Sequence, residues 1–316
     1  MKNQNTFISI CIPAYERTDY LYRLLKSIEI QTFKNYEVII SDDSITDNNK
    51  FLIEKFEMLN IKYIKNITPL GSPKNWNNAI SFAQYDWIKV MHDDDFFCTP
   101  KSLEIFSNAI INYPNKAFIF SSHYSLKESS KLKKLVEINF LEKYFLHKSR
   151  FILFYKNLIG HPSCVIYKKD CDIEFDNKFK WVVDIEFYFR YLNKHNSTYF
   201  IRTPLITLSD NESQITKQVF RNFEIEIREN HMLLEKIGKS SIKNIILFDY
   251  FWRLYRNLGV RNQSEIENLN VTFNISLKKM LAFQLNFPLS LLRIGPISKI
   301  IMLICYFYIL TDKNDV

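Results

Sequence analysis

The feature of the sequence that most constrains the fold is a regular alternation of two hydrophobic patterns along residues 7–95. Short apolar runs predict buried strands, and segments whose apolar residues recur every three or four positions predict helices. The predicted strands are residues 7–12, 36–40, 61–64 and 87–91, and the predicted helices between them are residues 20–30, 50–59 and 75–83. This order predicts a parallel sheet with helices on its faces.

The pattern continues less regularly after residue 95. A helix is predicted for residues 101–112, strands for 117–122 and 164–167, a loop with a helix for 127–150, and a further helix that includes 187–192. Asp184 and Glu186 lie in the first turn of that last helix. We therefore expect a mostly parallel, Rossmann-like α/β domain over residues 1–216 and a helical C-terminal region over residues 217–316.

The amino-acid composition excludes several classes of binding and catalytic site. The 316 residues are 47% hydrophobic and 24% charged, which is typical of a globular protein with an ample core. Only 5 residues are Gly, and they are widely separated along the chain. This spacing excludes the glycine-rich loops of dinucleotide-binding and P-loop proteins and the G-x-S-x-G turn of hydrolases. Any bound phosphate is therefore expected to be held by a metal ion or by basic side chains.

Cysteine usage and the first residues bear on the cellular compartment. The 5 Cys residues form no C-x-x-C pair and are odd in number, so neither a zinc ribbon nor a disulfide framework is expected. Residues 1–6 are polar, and the apolar stretch after them ends at Pro13, which is too short for a signal peptide. These features predict a cytoplasmic location.

The C-terminal region is both basic and apolar. Residues 217–299 carry 13 Lys and Arg against 7 Asp and Glu, and residues 300–310 are all apolar. A membrane span needs roughly 20 apolar residues, so this run is short for a crossing. Flanking basic residues favour a helix at the anionic inner surface of a membrane: Lys278, Lys279, Arg293 and Lys299. The alternatives are packing on the protein itself, a homo-oligomer formed through these helices, or a true span.

Nucleic acid is not an expected partner. The basic residues of the C-terminal region alternate with Leu, Ile and Phe at helical spacing, and no nucleic-acid-binding motif is present.

The densest acidic cluster, Asp93-Asp94-Asp95, directly follows the predicted strand 87–91. Asp42 and Asp43 end another predicted strand, and ligands bind beyond the carboxyl ends of such strands. Adjacent carboxylates repel one another unless a cation neutralises them, and Mg²⁺ or Mn²⁺ suits carboxylate ligands. One carboxylate on the metal and another on a ribose hydroxyl would explain the cluster. The alternative is a solvated acidic turn.

Five blocks of the chain, in order, resemble the motifs of family 2 glycosyltransferases. They are ISICIPAYER at 8–17 with QTFKNYEVIISDDS at 31–44, LGSPKNWNNAI at 70–80, WIKVMHDDD at 87–95, GHPS at 160–163 and FDNKFKWVVDIEFYFR at 175–190. The resemblance covers about residues 7–215. It implies a GT-A fold and an inverting transfer from a nucleotide-sugar, with a UDP-sugar as the expected donor.

The resemblance also implies a site, residue by residue. The nucleotide-sugar pocket would comprise Pro13, Ala14, Tyr15, Glu16, Asp43, Asn75 and Asp93. Tyr15 would pack on the base, and Asp43 would accept a hydrogen bond from it. Asp94 would hold the Mn²⁺ or Mg²⁺ ion, with Asp95 as the alternative ligand. Asp184 would be the general base, with Glu186 as its competitor.

Elementary chemistry is consistent with these assignments. Cleavage of a sugar–diphosphate bond builds negative charge on the leaving phosphate, which a bound metal ion neutralises. The acceptor hydroxyl attacks from the opposite face and must lose a proton, so a carboxylate is needed on that side. The alternative role for Asp184 is to stabilise the N-terminus of its helix, because acidic residues interact favourably with that end of a helix.

Several positions depart from the family pattern. They are Glu16 in place of Asn, Ser44 in place of Gly, His92 at an often acidic position, and Asn211 where the segment 209–216 often carries His. Residues 218–222 read QVFRN and resemble the signature of processive synthases, with Asn in place of Trp. A transfer of a single sugar is therefore expected rather than polymerisation.

We expect an inverting, metal-dependent glycosyltransferase on the cytoplasmic side of a membrane. Its acceptor is expected to be a glycan precursor, and the basic, apolar C-terminal region favours a lipid-linked one. The alternatives are a nucleotidyltransferase, which would need a basic phosphate loop near Pro13, and a membrane-docked sugar-nucleotide-binding module without turnover.

Overall fold

The computed structural model describes residues 6–211 and 220–311. The chain forms two compact units that are not continuous in sequence. Unit 1 comprises residues 1–150, 158–177 and 183–214, and unit 2 comprises residues 151–157, 178–182 and 215–316. Segments 151–157 and 178–182 therefore belong to unit 2, although they precede residue 217, where the sequence predicts the C-terminal region to begin.

Unit 1 contains a nine-stranded sheet in which the strand order is β3-β2-β1-β4-β8-β6-β9-β5, and β7 pairs with β6. The strands are β1 (Ile8–Ala14), β2 (Tyr36–Asp42), β3 (Ile61–Lys65), β4 (Trp87–Val90), β5 (Phe96–Phe97), β6 (Phe118–Lys127), β7 (Leu132–Val136), β8 (Val165–Lys168) and β9 (Thr198–Asp210). Strands β1 to β4 pair in parallel, whereas β8 is antiparallel to both β4 and β6. The mixed α/β sheet confirms the predicted fold class.

Helices cover the sheet because each buries one apolar stripe. They are α1 (Thr18–Glu29), α2 (Asn48–Ile53), α3 (Lys74–Ser81), α4 (Ser102–Asn112), α5 (Phe140–Lys148) and α7 (Val183–His195), with a 3-10 turn at Pro162–Cys164. In α1, Leu21, Leu24, Leu25 and Ile28 are fully buried and belong to the main core cluster with β1 and β2. Their spacing is the one that predicts an amphipathic helix.

The parallel half of the sheet follows the sequence prediction closely. The largest difference lies in α2, which ends at Ile53 instead of residue 59. Phe56 and Leu59 are nevertheless buried, because tight turns in which each amide bonds the carbonyl three residues earlier bring them to the core. Helical spacing over residues 50–59 thus arose from turns rather than from one continuous helix.

The sequence pattern does not predict three of the strands. β5 has only two residues, and β7 lies at the sheet margin with exposed side chains, so neither has an alternating pattern. β9 is 13 residues long but contains Pro204, and its pairing with β6 shifts register between Ser121 and His123. Proline inside a sheet is found at such irregularities.

Unit 2 is helical. Its helices are α6 (Ile152–Tyr155), α8 (Phe223–Ile237), α9 (Ile245–Leu258), α10 (Gln263–Glu267), α11 (Ile275–Leu285), α12 (Leu289–Leu292) and α13 (Gly295–Thr311). Trp252 of α9 is buried, and its indole N–H donates to Ser298 Oγ of α13 at 3.0 Å. Among the described residues, no helix combines the length and apolar character that a bilayer crossing requires.

We predict that Leu24→Ala lowers the free energy of unfolding by about 2–5 kcal/mol, because it removes a fully buried side chain and leaves a cavity in the core. Urea denaturation followed by circular dichroism measures this change. Ile67→Ala is the matched control, since Ile67 is fully exposed, and it should change stability by less than about 0.5 kcal/mol. Equal effects of the two substitutions would contradict the described core.

Candidate functional site

The candidate site lies at the carboxyl ends of β1, β2 and β4. Ala14 is opposite Asp42 in the parallel register of β1 and β2, and the amide of Asp43 donates to Ala14 O at 2.9 Å. The amide of Met91, after β4, donates to Cys11 O of β1 at 2.9 Å. The segments that follow the three strands are therefore held at one edge of the sheet, as predicted from their order.

The turn after β4 buries three consecutive carboxyl groups. Asp93, Asp94 and Asp95 are 2%, 4% and 1% exposed. Arg17 bridges the first two, pairing with Asp93 Oδ1 and with Asp94 Oδ2, the latter at 3.0 Å. This guanidinium, which follows β1, is the main internal counter-charge of the turn.

A second arginine ties the same turn to other elements. Arg23 of α1 donates to the carbonyl oxygen of Asp94 at 2.7 Å and to Ser209 Oγ at 2.5 Å, and it pairs with Glu128 at 2.6 Å. Neither arginine is among the site residues predicted from the sequence. Their acidic and carbonyl partners lie at least 71 positions away along the chain, so no local pattern could reveal these contacts.

Burial and charge shift the pKa values of the three carboxyl groups in different directions. Burial raises the pKa of Asp93 to about 7, although Arg17 opposes the shift. Burial also acts to raise the pKa of Asp94, but the charge of Arg17 and the hydrogen bond from Asn211 outweigh it, so the net shift is downward. Burial and the neighbouring Asp94 raise the pKa of Asp95 well above its usual value.

Asp94 has an amide partner at the end of β9. Asn211 Nδ2 donates to Asp94 Oδ2 at 3.0 Å, on the same oxygen that Arg17 contacts. Asn211 is the residue at which the family pattern often has His. Residues 212–216 of the same family-like segment, and Gln218 of the synthase-like signature at 218–222, lie outside the described part of the chain.

Asp95 faces two histidines rather than an arginine. Ligand atoms of His92, Asp95 and His161 all lie within 4.8 Å of one another. Asp95 Oδ2 and His92 Nε2 are buried and, within the described residues, have no hydrogen-bond partner. Burial lowers the pKa of His92 to about 3, so the ring is neutral and offers a lone pair. Carboxylate and neutral imidazole are ligands that fit a divalent metal ion.

Asp43 is buried, and its carboxylate organises the loop before α3. It accepts hydrogen bonds from Asn66 Nδ2 at 2.7 Å, from the Leu70 amide at 3.0 Å and from the Gly71 amide at 2.8 Å. Three of its roughly four acceptor positions are thereby used inside the chain. The predicted contact of Asp43 with a base would have to use the remaining one.

Tyr15 and Glu16 follow β1 and differ in their surroundings. The Tyr15 ring is 51% exposed, so its face is accessible to a planar ligand. Glu16 instead accepts from the amides of Ile45 and Thr46 and from Thr46 Oγ1, at 2.5, 3.2 and 2.8 Å. The hydrogen bond from Thr46 lowers the pKa of Glu16. Glu16 therefore fixes the loop after β2.

The remaining predicted pocket residues are buried beside this loop. Pro13 and Ala14 belong to β1 and pair with β2. Asn75 Oδ1 accepts from Asn66 Nδ2 at 3.1 Å, and Asn75 Nδ2 lies 3.4 Å from Ala14 O. These contacts join α3 to β1 at the sheet edge.

Asp184 and Glu186 lie in the first turn of α7, as predicted, but in different environments. Glu186 is fully buried and pairs with Arg190, whose Nη2 is 2.8 Å from Glu186 Oε2. Asp184 is partly exposed. One turn later Tyr188 OH donates to Gly160 O at 3.0 Å, next to His161. This contact joins the start of α7 to the histidine–aspartate cluster.

Comparison with known proteins gives a family match that covers more than half of the chain. Residues 9–175 match the model of the family described as "Glycosyl transferase family 2". The chain is 34% identical over 122 residues to the Escherichia coli UDP-Glc:alpha-D-GlcNAc-diphosphoundecaprenol beta-1,3-glucosyltransferase WfaP, covering 38% of this chain and 47% of that protein. The chain thus spans about half the length of this relative.

Two further relatives extend the comparison. A putative colanic acid biosynthesis glycosyl transferase, WcaA of E. coli K12, is 27% identical over 221 residues, covering 68% of this chain and 77% of WcaA. The Campylobacter jejuni GalNAc(5)-diNAcBac-PP-undecaprenol beta-1,3-glucosyltransferase is 30% identical over 113 residues, covering 35% of this chain and 34% of that protein.

Solved structures share the fold at low sequence identity. Staphylococcus aureus TarS 1–349 in complex with UDP-GlcNAc aligns with a TM-score of 0.57 at 17% identity, covering 89% of each chain. The mannosyltransferase PcManGT from Pyrobaculum calidifontis, in complex with GDP-Man and Mn²⁺, aligns with a TM-score of 0.55 at 13% identity, covering 97% of this chain and 87% of PcManGT. The fold is therefore of the GT-A type.

We predict that Asp43→Asn lowers the free energy of unfolding by about 1–3 kcal/mol, because an amide NH₂ would replace one acceptor oxygen and face backbone N–H donors. Hydrogen exchange of the Leu70 and Gly71 amides should accelerate, and urea denaturation measures the stability change. Asp47→Asn is the control, because the Asp47 side chain is 61% exposed. Unchanged exchange at both amides would show that Asp43 does not hold this loop.

Proposed function

The chain belongs to glycosyl transferase family 2, and we propose that it transfers one sugar from a UDP-sugar to a hydroxyl group of a lipid-linked glycan precursor. The observation that carries this proposal is the turn of buried carboxylates Asp93–Asp95 at the carboxyl ends of parallel strands, beside the exposed ring of Tyr15. The names of two relatives, which specify diphosphoundecaprenol or PP-undecaprenol acceptors, support the acceptor class. UDP-Glc in the name of the first supports the donor.

The donor would occupy the edge of the sheet at β1 and β4. Tyr15 would pack on the base, Pro13 and Ala14 would form the floor of the pocket, and Asp93 would accept from the ribose. Glu16, Asp43 and Asn75 would act mainly by holding the surrounding loops. Packing of a base on an aromatic ring contributes roughly 1–3 kcal/mol to nucleotide binding.

The acidic turn is the proposed position of a divalent ion, with Asp94 and Asp95 as its candidate carboxylate ligands. When bound, the ion would stabilise the negative charge that develops on the leaving diphosphate. Arg17 pairs with Asp93 and Asp94 and carries N–H donors that suit phosphate oxygens.

Asp184 is the proposed general base. It would accept the proton of the acceptor hydroxyl as that oxygen attacks the anomeric carbon, and a single displacement inverts the configuration. Glu186 is disfavoured for this role because its carboxylate is buried and paired with Arg190. A nucleotidyltransferase is also disfavoured, since that activity would need a basic phosphate loop near Pro13, and Arg17 is the only basic residue of segment 13–17.

The C-terminal helix α13 is the proposed contact with the inner membrane surface. Ile300, Ile304, Phe307 and Tyr308 are each more than half exposed and recur at helical spacing. The opposite face of α13 is buried in unit 2 through residues such as Met302 and Cys305. A helix with one packed face and one exposed apolar face suits insertion into a bilayer surface. The competing proposal is a homo-oligomer that uses the same face.

We predict that Asp184→Asn lowers the rate of sugar transfer by about 10²–10⁴-fold, because the acceptor hydroxyl loses its base. Binding of UDP, measured by calorimetry, should remain within a few fold of wild type. Transfer is measured with a UDP-sugar and an undecaprenyl-diphosphate-linked saccharide. Asp172→Asn is the control, since the Asp172 side chain is 84% exposed and lies outside the site. Wild-type turnover of Asp184→Asn would contradict the assignment.

We predict that the double variant Ile304→Ser/Phe307→Ser binds phosphatidylglycerol vesicles at least tenfold more weakly, because each buried apolar side chain contributes roughly 1.5–3 kcal/mol. Vesicle flotation measures the binding. Ile45→Ser is the control, with a comparably exposed side chain in unit 1. Loss of a dimer on gel filtration with unchanged flotation would favour the oligomer instead. Surface substitutions are preferred to truncation, because α13 also supplies buried core residues.

A further inference from the structure

The cluster of His92, Asp95 and His161 is the most unusual group of side chains in the described part of unit 1. Asp95 is 1% exposed, yet its Oδ2 atom has no hydrogen-bond partner there, and the same is true of His92 Nε2. A buried acceptor without a donor costs roughly 1–3 kcal/mol. One ligand atom from each of His92, Asp95 and His161 also lies within 4.8 Å of the other two, an arrangement that suits a cation.

His161 is brought to this cluster by a tightly constrained loop. Gly160 has φ of +88°, and a Cβ atom there would lie 3.1 Å from the ring of His123 and 3.2 Å from Cys164 Sγ. The carbonyl oxygen of Gly160 accepts from Tyr188 OH, and that of His161 accepts from the Cys164 amide at 2.8 Å. His161 is thus fixed by backbone contacts on both sides.

We propose that His92, Asp95 and His161 are the protein ligands of the divalent ion, and that this ligand set selects Mn²⁺ over Mg²⁺. The proposal rests on the proposed function, since the ion is the one that accompanies the donor. The three ligand atoms lie within 4.8 Å of one another, a spacing from which one bound ion would draw them closer together.

The chemistry of the ligands gives the selectivity. Mg²⁺ prefers oxygen ligands and sheds water reluctantly, whereas imidazole nitrogen binds divalent transition metal ions; Mn²⁺ is the weakest binder among them but belongs to that series, and Mg²⁺ does not. Three protein ligands leave coordination positions for diphosphate oxygens and water. Asp94, by contrast, is engaged by Arg17 and Asn211, so the proposal assigns the ion to Asp95.

Trp76 provides a readout that does not depend on catalysis. Its ring centroid is 4.7 Å from that of His92, so a paramagnetic ion at the cluster should quench its fluorescence. The experiment titrates MnCl₂ and MgCl₂ separately into the protein without donor, and follows tryptophan emission and heat of binding. Trp76→Phe identifies the contribution of this ring to the signal.

Wild-type protein should bind Mn²⁺ at least tenfold more tightly than Mg²⁺. His161→Gln should weaken Mn²⁺ binding at least tenfold and remove the preference, and Asp95→Asn should abolish binding. Asp94→Asn should weaken Mn²⁺ binding much less than His161→Gln or Asp95→Asn does, and the control His147→Gln, whose side chain is exposed on α5, should retain wild-type Mn²⁺ affinity. Thermal unfolding of each variant confirms that it is folded.

Loss of Mn²⁺ binding in Asp94→Asn with wild-type binding in His161→Gln would overturn the proposal and move the ion to Asp94. Mn²⁺ and Mg²⁺ of equal affinity would overturn the selectivity. In either case UDP binding and sugar transfer would still support the proposed function. Absence of UDP binding and of transfer in the wild-type protein would overturn the proposed function itself.

A separate surface carries a second inference. The helix α5 buries only Leu146, while Phe140 and Leu141 are 81% and 62% exposed, and Leu132 of the neighbouring β7 is 69% exposed. Tyr144, Phe145 and Leu135 are also exposed. Basic residues are interspersed among them: Lys131, Lys133, Lys134, Lys143 and Lys148.

The combination of large apolar side chains with lysines complements an anionic bilayer, in which the apolar groups enter the interface and the ammonium groups contact headgroups. We infer that the exposed apolar and basic side chains of β7 and α5, which follow one another in the chain, form a lipid-binding surface of unit 1, separate from the proposed role of α13. Each lysine near such a membrane contributes about 1 kcal/mol, and that contribution is screened by salt.

Vesicle flotation tests this inference. Phe140→Ser/Phe145→Ser and Lys133→Glu/Lys134→Glu should each weaken binding to phosphatidylglycerol vesicles at least fivefold, and the lysine variant should lose its salt dependence. Lys50→Glu/Lys55→Glu is the control, with two exposed lysines of the same unit. Wild-type flotation of both β7–α5 variants, with loss only in the α13 variant, would overturn the inference.

Discussion

Three carboxyl groups buried side by side in one turn are the constraint on which the architecture of unit 1 depends. Like charges repel more strongly inside a protein than in water, so carboxyl groups buried close together need compensation. Arg17 supplies it through Asp93 and Asp94, and Arg23 holds the turn through a backbone carbonyl. The same contacts join the start of α1, the end of β4 and the end of β9.

Much of the fold could be predicted from the sequence because β1, β2 and β4 are buried on both faces and end in polar clusters. The carboxyl-end residues around Asp43 and Asp94 were placed on one edge by strand order alone. The exposed strand β7 and the proline-containing strand β9 were missed, because neither has a clean alternation of apolar residues.

The candidate site was predicted in part. Motif resemblance indicates which residues accompany a ligand, but it does not distinguish a residue that contacts the ligand from one that shapes the pocket. Glu16 and Asp43 show the difference, since their carboxylates are used largely by backbone amides of neighbouring loops. His161 and Asp95 are 66 positions apart in the sequence and come together only in the tertiary structure. The periodicity of apolar residues cannot reveal such a contact.

The guanidinium of Arg17 has a consequence for the folding of the chain. If the buried carboxyl groups were neutralised only by an ion from solution, the stability of the folded chain would depend on the concentration of that ion. Here the chain brings its own positive charge, anchored next to α1 and within 3.0 Å of Asp94. The polypeptide therefore carries part of the charge balance of the acidic turn within its own sequence, and under the proposed function a metal ion would be needed for turnover rather than for folding.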